Sequence, residues 1–237
     1  MEPAEYALMD AAEERMWWYR ALHARLLDLL ADIPAGPVLD AGCGTGGLLA
    51  QLRQWRPELA TVGLEWSAVA AARAAAKSGA PVARGSVNAL PFADASFTAA
   101  VAADVLCHAA VEPETALAEL RRVLRPGGRL VLNMPAFAWL LSDHDRQVHN
   151  SRRLSVPETR AMLERAGFAK VRAHYWNGLL LPLMVAHRKL PRRRSGSDVA
   201  PFPPWLDGML YGVTELERRW KLRLPAGGSV LATAERV

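Results

Sequence analysis

VLDAGCGTGG, at residues 38–47, is an apolar strand that runs directly into a glycine-rich loop. Glycine is needed in such a loop because the turn is tight and a bound ligand approaches the backbone closely. The spacing of Gly42, Gly44 and Gly47 also fits the dinucleotide fingerprint G-x-G-x-x-G, which is a weak signal by itself. The stretch therefore predicts a cofactor-binding strand, loop and helix, and it leaves two classes of cofactor open.

Two carboxylates at strand ends bear on that choice. Asp40 stands just before the first glycine, where it would repel a pyrophosphate placed at the helix N terminus but would suit a ligand with an ammonium group. Glu65 ends the next apolar strand and is positioned to accept both hydroxyls of a ribose, which either cofactor would offer. Only Asp40 discriminates, and it favours the cationic ligand.

Short apolar segments alternate with helical patterns along most of the chain. The strands are predicted at 37–42, 61–66, 80–85, 98–105, 128–134, 169–175 and 229–236, and the helices at 12–31, 46–56, 67–78, 113–124 and 156–166. Ser155 and Glu158 predict a capping box at the last helix. The alternation favours an α/β fold with a mostly parallel sheet and helices on both faces, and ligands bind at the carboxyl ends of such strands.

The regularity divides the chain into four parts. We predict an N-terminal helical cap at 1–35, a cofactor-binding core at 36–177, a helical insertion or lid at 178–226, and the final strand of the core at 227–237. The insertion is rich in proline, and Pro201, Pro203 and Pro204 should divide it because each removes a hydrogen-bond donor.

Composition and charge limit the possible partners. The 237 residues are 51% hydrophobic and include two cysteines, which fits a cytoplasmic protein without a disulfide framework. Glu2, Glu5 and Asp10 do not fit a signal peptide. The net charge of +5 permits nucleic acid, anionic lipid or acidic substrates as partners. The oligomeric state is not predicted.

An apolar run with a basic flank lies at residues 179–194. The basic residues of this segment are Arg188, Lys189, Arg192, Arg193 and Arg194. The combination predicts a surface that binds anionic membranes, and the alternative is a solvated charge run after a buried helix. The run is shorter than the roughly 20 residues that span a bilayer.

The glycine loop resembles the first motif of class I S-adenosylmethionine-dependent methyltransferases, and later segments follow the order of that family. GSVNALPF at 85–92 resembles the adenine-contacting segment, and LRPGG at 124–128 resembles the segment before the fifth strand. The likeness covers residues 37–175, and 229–237 resembles the terminal strand. It implies a Rossmann-like, seven-stranded sheet, S-adenosyl-L-methionine as the cofactor and S-adenosyl-L-homocysteine as the product.

The resemblance also implies which residues hold the cofactor. Glu65 would bind the ribose, while Ser86, in place of the usual aspartate, and Val87 would flank the adenine. Trp66 either stacks on the adenine or packs against the protein. The methionine portion would be held by Asp40, Gly42, Cys43, Gly44 and Gly46, and the predicted set is completed by Asp104, Tyr19 and Arg20.

The leading helix carries three adjacent aromatic residues and an arginine. Trp17, Trp18 and Tyr19 fall on different helix faces, so at least one should cover the cofactor mouth. Arg20 binds the carboxylate of the cofactor or forms a surface salt bridge.

Methyl transfer needs an aligned acceptor and, for a hydroxyl or a carbon acid, a base. The candidates at the ends of strands four and five are His108, His144, Asp145 and His149. The segment 144–153 resembles a bacterial subgroup of type 11 methyltransferases with a histidine–aspartate pair before two arginines. His144 is preferred to His149, because the register of that subgroup places Asn150 where its later histidine belongs. The alternatives are a metal site, which we do not predict, and structural ion pairs to Arg152 and Arg153.

Three functions remain open. The apolar insertion favours a methyltransferase with a small, apolar or lipid-like acceptor. A nucleic-acid methyltransferase is disfavoured, because ADVL at 103–106 lacks the proline-rich run that holds a base amino group, and neither Cys43 nor Cys107 adjoins a proline. A cofactor-binding module without catalysis is the third hypothesis.

Overall fold

A seven-stranded sheet of order β3-β2-β1-β4-β5-β7-β6 forms the centre of the protein. The computed structural model describes residues 3–142, 145–146, 149–189 and 202–237. The strands are β1 (Pro37–Ala41), β2 (Ala60–Glu65), β3 (Val82–Arg84), β4 (Phe97–Ala103), β5 (Leu124–Pro135), β6 (Phe168–Trp176) and β7 (Ser229–Arg236). Only β7 runs antiparallel to its neighbours, β5 and β6. The predicted α/β fold is confirmed.

Helices follow most of the strands. Those of the described residues are α1 (Pro3–Ala12), α2 (Trp17–Leu30), α3 (Gly47–Trp55), α4 (Ala68–Ser78), α5 (Pro113–Val123), α6 (Val156–Arg165), α7 (Leu181–Lys189) and α8 (Pro204–Arg219), with a 3₁₀ turn at Ala138–Leu140. The predicted capping box begins α6: the Ser155 N–H donates to the Glu158 carboxylate at 2.7 Å, and the Ser155 hydroxyl accepts from the Glu158 N–H.

Two apolar layers cover the sheet. Successive residues of β1 point to opposite faces, so Val38 packs with Leu26 of α2 while Leu39 belongs to the cluster that holds Leu117 of α5 and Leu163 of α6. These layers account for the near-continuous apolar sequence of the central strands, which are buried on both faces.

The leading helix predicted at 12–31 corresponds to α2, which begins only at Trp17, and α1 was not predicted. A turn at residues 13–16 separates α1 from α2, and Met16 has an extended backbone. Of the three prolines predicted to divide the insertion, Pro203 precedes α8 and Pro204 begins it, where the missing N–H is tolerated, and Pro201 lies outside the described residues.

Helix α8 lies beside α2 and runs in the same direction. The Trp17 N–H donates to Asp207 at 2.8 Å, Arg25 donates to the Thr214 carbonyl at 2.6 Å, and Arg218 contacts Asp28 at 2.8 Å. The predicted insertion therefore packs on the predicted N-terminal cap.

Candidate cofactor and active site

The carboxyl ends of β1, β2 and β4 bring the three predicted acidic residues to one edge of the sheet. Asp40 lies in β1, Glu65 ends β2, and Asp104 follows β4. β1 pairs with β2 on one side and with β4 on the other, so the chain changes direction across the sheet at this point. Such a switch point opens a crevice above the strands, where ligands of α/β sheets bind.

The glycine loop is fixed against both neighbouring strands. The N–H groups of Gly42 and Cys43 donate to the Leu64 carbonyl at 2.8 and 2.9 Å. Gly46 has a φ of 91°, and a Cβ there would lie 2.7 Å from Cα of Ala74 in α4. Only glycine fits a left-handed conformation this close to another backbone. Gly46 therefore allows the loop to pack directly against α4.

Glu65 is already oriented by three donors. Its Oε2 accepts the Gly44 N–H at 3.1 Å, and its Oε1 accepts the Ser67 N–H at 2.9 Å and the Tyr6 hydroxyl at 3.1 Å. The side chain is buried. The carboxylate that is predicted to bind the ribose is thus attached to the loop, to the start of α4 and to α1.

Asp40 is 3% exposed and lies among other carboxylates. Burial, together with the smaller effects of the charges of Glu13 and Glu65, raises its pKa to about 7. The same surroundings hold the pKa of the Cys43 thiol far above its usual range, with burial as the larger cause. A ligand with a positive charge would relieve this repulsion. These carboxylates therefore fit the sulfonium and ammonium groups of S-adenosylmethionine.

Helix α1 and the turn after it contribute residues that the sequence analysis missed. Tyr6, Met9, Asp10 and Glu13 follow helical spacing, and each contacts the glycine loop, Glu65 or α4. Asp10 binds Arg73 at 3.1 Å and Lys77 at 2.6 Å. The spacing i, i+3, i+4, i+7 was visible in the sequence and could have marked this face.

The predicted adenine segment follows β3. Val87 is buried in the core, and the Ser86 hydroxyl accepts the Asn88 N–H at 3.2 Å. The Gly85 N–H donates to the Glu65 carbonyl at 3.1 Å, which joins this segment to the ribose carboxylate. Trp66 is 71% exposed, so the alternative of a packed tryptophan is wrong, and its role on the adenine stays a prediction.

The start of α2 is largely occupied by contacts within the protein. Trp17 is buried, and Trp18 packs on Trp176 with ring centroids 6.4 Å apart. The Tyr19 ring contacts those of Trp18 and His23. The Arg20 guanidinium lies 3.8 Å from the centre of the Tyr211 ring and 3.8 Å from Asp207. Arg20 therefore forms the salt bridge that was predicted as the alternative to binding the cofactor.

The structure brings His108 and His149 together. His108 and Asn150 form an isolated antiparallel bridge, and the His149 carbonyl accepts the Ala109 N–H at 2.9 Å. His108 is half-buried, while His149 is exposed with a φ of 58°. The Cys107 thiol donates to the Asn150 side chain at 3.2 Å. His144 lies outside the described residues, as do Asp143 and the basic residues Arg192, Arg193 and Arg194.

Asp145 forms a buried ion pair. Its Oδ1 lies 2.7 Å from the Arg153 guanidinium, and its Oδ2 accepts the N–H and the hydroxyl of Ser142 at 2.9 Å. These contacts match the structural alternative rather than a catalytic role for Asp145, because its carboxylate is bonded on both oxygens. Within the described residues, no three ligand-type side chains are grouped closely enough to hold a metal ion.

Asp104 begins a short chain of side-chain hydrogen bonds. The Asn133 amide donates to both carboxylate oxygens at 2.9 and 3.0 Å, and Trp176 donates to the Asn133 carbonyl oxygen at 2.8 Å. Burial raises the pKa of Asp104 to about 6, against the opposing effect of Asn133. The Asp104 carboxylate is therefore fixed in direction at the carboxyl end of β4.

A family model matches the part of the chain that forms this geometry. Residues 39–132, which include β1, the glycine loop, Glu65 and β4, match the family model described as "Methyltransferase domain". They are a methyltransferase domain of class I. The cofactor of this domain is S-adenosylmethionine.

The chain spans between 37% and 51% of the length of the first four curated relatives that it matches. Two relatives and one solved structure illustrate the likeness. The chain is 38% identical over 110 residues to a malonyl-[acyl-carrier protein] O-methyltransferase of Herminiimonas arsenicoxydans, covering 46% of this chain and 41% of the relative. It is 28% identical over 213 residues to a ubiquinone/menaquinone biosynthesis C-methyltransferase of Paracoccus denitrificans, covering 76% and 82%. The fold matches that of the geranyl diphosphate C-methyltransferase of Streptomyces coelicolor with a TM-score of 0.60 and 17% identity, over 92% of this chain and 78% of that one.

Proposed function

We propose that the protein transfers the methyl group of S-adenosylmethionine to a small acceptor with an apolar or lipid-like body. The observation that carries this proposal is an aromatic surface just after β5. Phe137 stacks on Trp139 and on Tyr175, with ring centroids 5.7 and 5.1 Å apart. Trp139 is 51% exposed, and its neighbour Leu141 is exposed as well. An aromatic wall with a few polar groups beside it is typical of small-molecule sites.

The polar groups beside this wall are few. His108 lies on the segment after β4 and is half-buried, which suits a group that accepts a proton from an acceptor hydroxyl or carbon acid. Asp104 is held by Asn133 and faces the same edge of the sheet. When bound, S-adenosylmethionine supplies the methyl group, and the residues of this chain align the acceptor and receive the proton. The quinone-pathway relative supports an apolar acceptor.

A methyl-labelled cofactor tests the proposal directly. The purified protein is incubated with S-adenosylmethionine carrying a deuterated methyl group and with a whole-cell extract, which is then separated into apolar, aqueous and nucleic-acid fractions. Mass spectrometry searches each fraction for products with the label. We expect labelled products from the apolar fraction. Labelling only in the aqueous fraction would refute the apolar acceptor, and labelled nucleic acid would point to the other class of methyltransferase.

Trp139 provides the matching variant. Trp139→Ala should raise the KM for the acceptor several-fold through lost contact area, while the affinity for S-adenosylhomocysteine stays unchanged. Trp55→Ala is the control, because Trp55 is also an exposed tryptophan but lies at the far end of α3. Equal KM values for the two variants would remove the aromatic surface from the acceptor site.

We also propose that the insertion adsorbs to anionic membranes. Every exposed residue of α8 is apolar, a glycine or Arg219, and Trp205 and Trp220 at the two ends of this surface are 72% and 68% exposed. Its acidic residues face inward: Asp207 accepts the Trp17 N–H, and Glu217 accepts the N–H of Asn177. An apolar face with cations at its edge is typical of helices at the membrane surface. Within the described residues, no helix is long and apolar enough to cross a bilayer.

Vesicle sedimentation tests this second proposal independently of catalysis. We expect wild type to bind vesicles of anionic lipid at low salt and to be released at high salt, because surface charges are screened. A variant with Trp205→Ala and Trp220→Ala should bind more weakly, as should one with Arg192, Arg193 and Arg194 changed to Glu. Trp55→Ala is again the control. If all four proteins sediment alike, the membrane proposal fails while the methyltransferase proposal stands.

A further inference from the structure

The carboxylate of Glu13 lies at the N terminus of α3. Its Oε2 accepts the Gly47 N–H at 3.2 Å, and its Oε1 accepts the Thr45 hydroxyl at 2.6 Å. Glu13 is 4% exposed and Thr45 is fully buried. The turn after α1 therefore inserts a negative charge into the junction between the glycine loop and its helix.

That junction attracts anions. The first N–H groups of a helix have no partner within the helix, and the helix dipole adds a partial positive charge, so phosphates commonly bind there. In this chain a Cβ on Gly47 would lie 2.6 Å from Oε2 of Glu13, so the space beside the helix N terminus is already filled. A phosphate oxygen could reach the Gly47 N–H only by displacing this carboxylate.

We propose that Glu13 is a specificity-determining residue of the cofactor site: it occupies the position of a phosphate at the glycine loop and thereby restricts the loop to cofactors without one. This inference goes beyond the assignment of S-adenosylmethionine, because it names the residue that excludes dinucleotides from a loop whose glycine spacing would admit them.

The neighbouring charges support this role. Lys77 contacts both Glu13 and Asp10, and Arg73 contacts Asp10, so the carboxylate of Glu13 is held by a cation from α4. Truncating Glu13 would leave Lys77, the Thr45 hydroxyl and the Gly47 N–H facing one small space. Those are the kinds of donors that bind phosphate, so the variant should gain an anion site rather than only lose a contact.

The test compares Glu13→Ala and Glu13→Gln with wild type and with Glu14→Ala. Glu14 lies in the same turn, is exposed, and gives the same change in net charge as a matched control. Thermal unfolding is measured in inorganic phosphate and in sodium chloride of equal ionic strength. Calorimetry measures S-adenosylhomocysteine and NAD binding for all four proteins.

We expect phosphate to raise the Tm of Glu13→Ala in a saturable way and to leave wild type and Glu14→Ala unchanged. The affinity for NAD relative to S-adenosylhomocysteine should rise about tenfold in Glu13→Ala, and less in Glu13→Gln, whose uncharged side chain still fills the space. If Glu13→Ala does not fold, as judged by circular dichroism, the ratio in Glu13→Gln decides. An unchanged ratio in the folded variants, without stabilisation by phosphate, would overturn the proposal and leave Glu13 as a structural brace.

Discussion

Two groups of carboxylates at the carboxyl edge of the sheet are held in different ways. Asp40 and Glu65 lie on the predicted cofactor side, and Asp145 lies on what we call the acceptor side. On the acceptor side, Asp145 is paired with Arg153 and both are buried. On the cofactor side, no cationic side chain of the described residues forms an ion pair with Asp40 or Glu65, and Glu65 is oriented by N–H and O–H donors alone. The charge of Asp145 is therefore balanced within the folded chain, whereas we expect a cationic ligand to balance the charges of Asp40 and Glu65.

The ion pair of the acceptor side should give the largest effect on stability. Arg153→Met removes the cation and leaves the buried carboxylate of Asp145 without its partner, which should lower the free energy of unfolding by about 3–5 kcal/mol. Urea denaturation followed by circular dichroism measures the change. Arg53→Met is the control, because Arg53 is exposed on α3 and its replacement should cost about 0.5 kcal/mol or less.

A double variant sharpens this prediction. Asp145→Leu combined with Arg153→Met removes both charges together, so it should recover much of the lost stability. If the single and double variants are equally unstable, packing around Arg153 rather than charge explains the loss.

Asp40 should give the largest effect on cofactor binding. Asp40→Asn keeps the size of the side chain and removes the charge, so the affinity for S-adenosylmethionine should fall by about 1.5–3 kcal/mol. Calorimetry checks this, with Asp94→Asn as the control because Asp94 is exposed and pairs with Arg122. An unchanged affinity would remove Asp40 from the cofactor site.

The sequence predicted which carboxylates meet at one edge of the sheet, because that information is local. Asp40, Glu65 and the glycine loop follow strand ends, and a parallel sheet brings such ends together. Tyr6 and Glu13 were missed because their partners Glu65 and Gly47 are 59 and 34 residues away, and no local pattern states which surface α1 covers. Asp145 was ambiguous because the same residue types serve catalysis and ion pairs, and only burial against Arg153 separates the two.

Titration of Asp40 should make protein stability and cofactor affinity depend on pH in opposite directions. The pKa of Asp40 is raised to about 7 in the folded chain, so this carboxyl binds its proton more tightly there than in the unfolded chain. Its contribution to stability is therefore present at low pH and is lost as the pH rises towards 7. Affinity for the cationic cofactor should follow the opposite trend and increase about tenfold for each pH unit between about 4 and 7, since the ionised form attracts the ligand. Asp40→Asn should flatten both trends, and unchanged slopes in that variant would assign the titration to another group.

Tyr6 should give the smallest effect, and its sign is informative. Oε1 of Glu65 already accepts from the Ser67 N–H and the Tyr6 hydroxyl, and Oε2 accepts from the Gly44 N–H. A carboxylate has about four acceptor positions, so two ribose hydroxyls cannot both be accepted unless one present donor leaves. The Tyr6 hydroxyl is the donor on the most readily displaced element, because the other two belong to the backbone of the loop and of α4.

Tyr6→Phe should therefore raise the affinity for S-adenosylhomocysteine by about 0.5–1.5 kcal/mol, the usual contribution of one hydrogen bond that no longer has to be broken. Calorimetry measures the change, and Tyr211→Phe is the control, since Tyr211 contacts Arg20 on another face. A weaker affinity in Tyr6→Phe would mean that the hydroxyl bonds to the cofactor itself, in which case α1 is a wall of the occupied site and Tyr6 belongs with the binding residues.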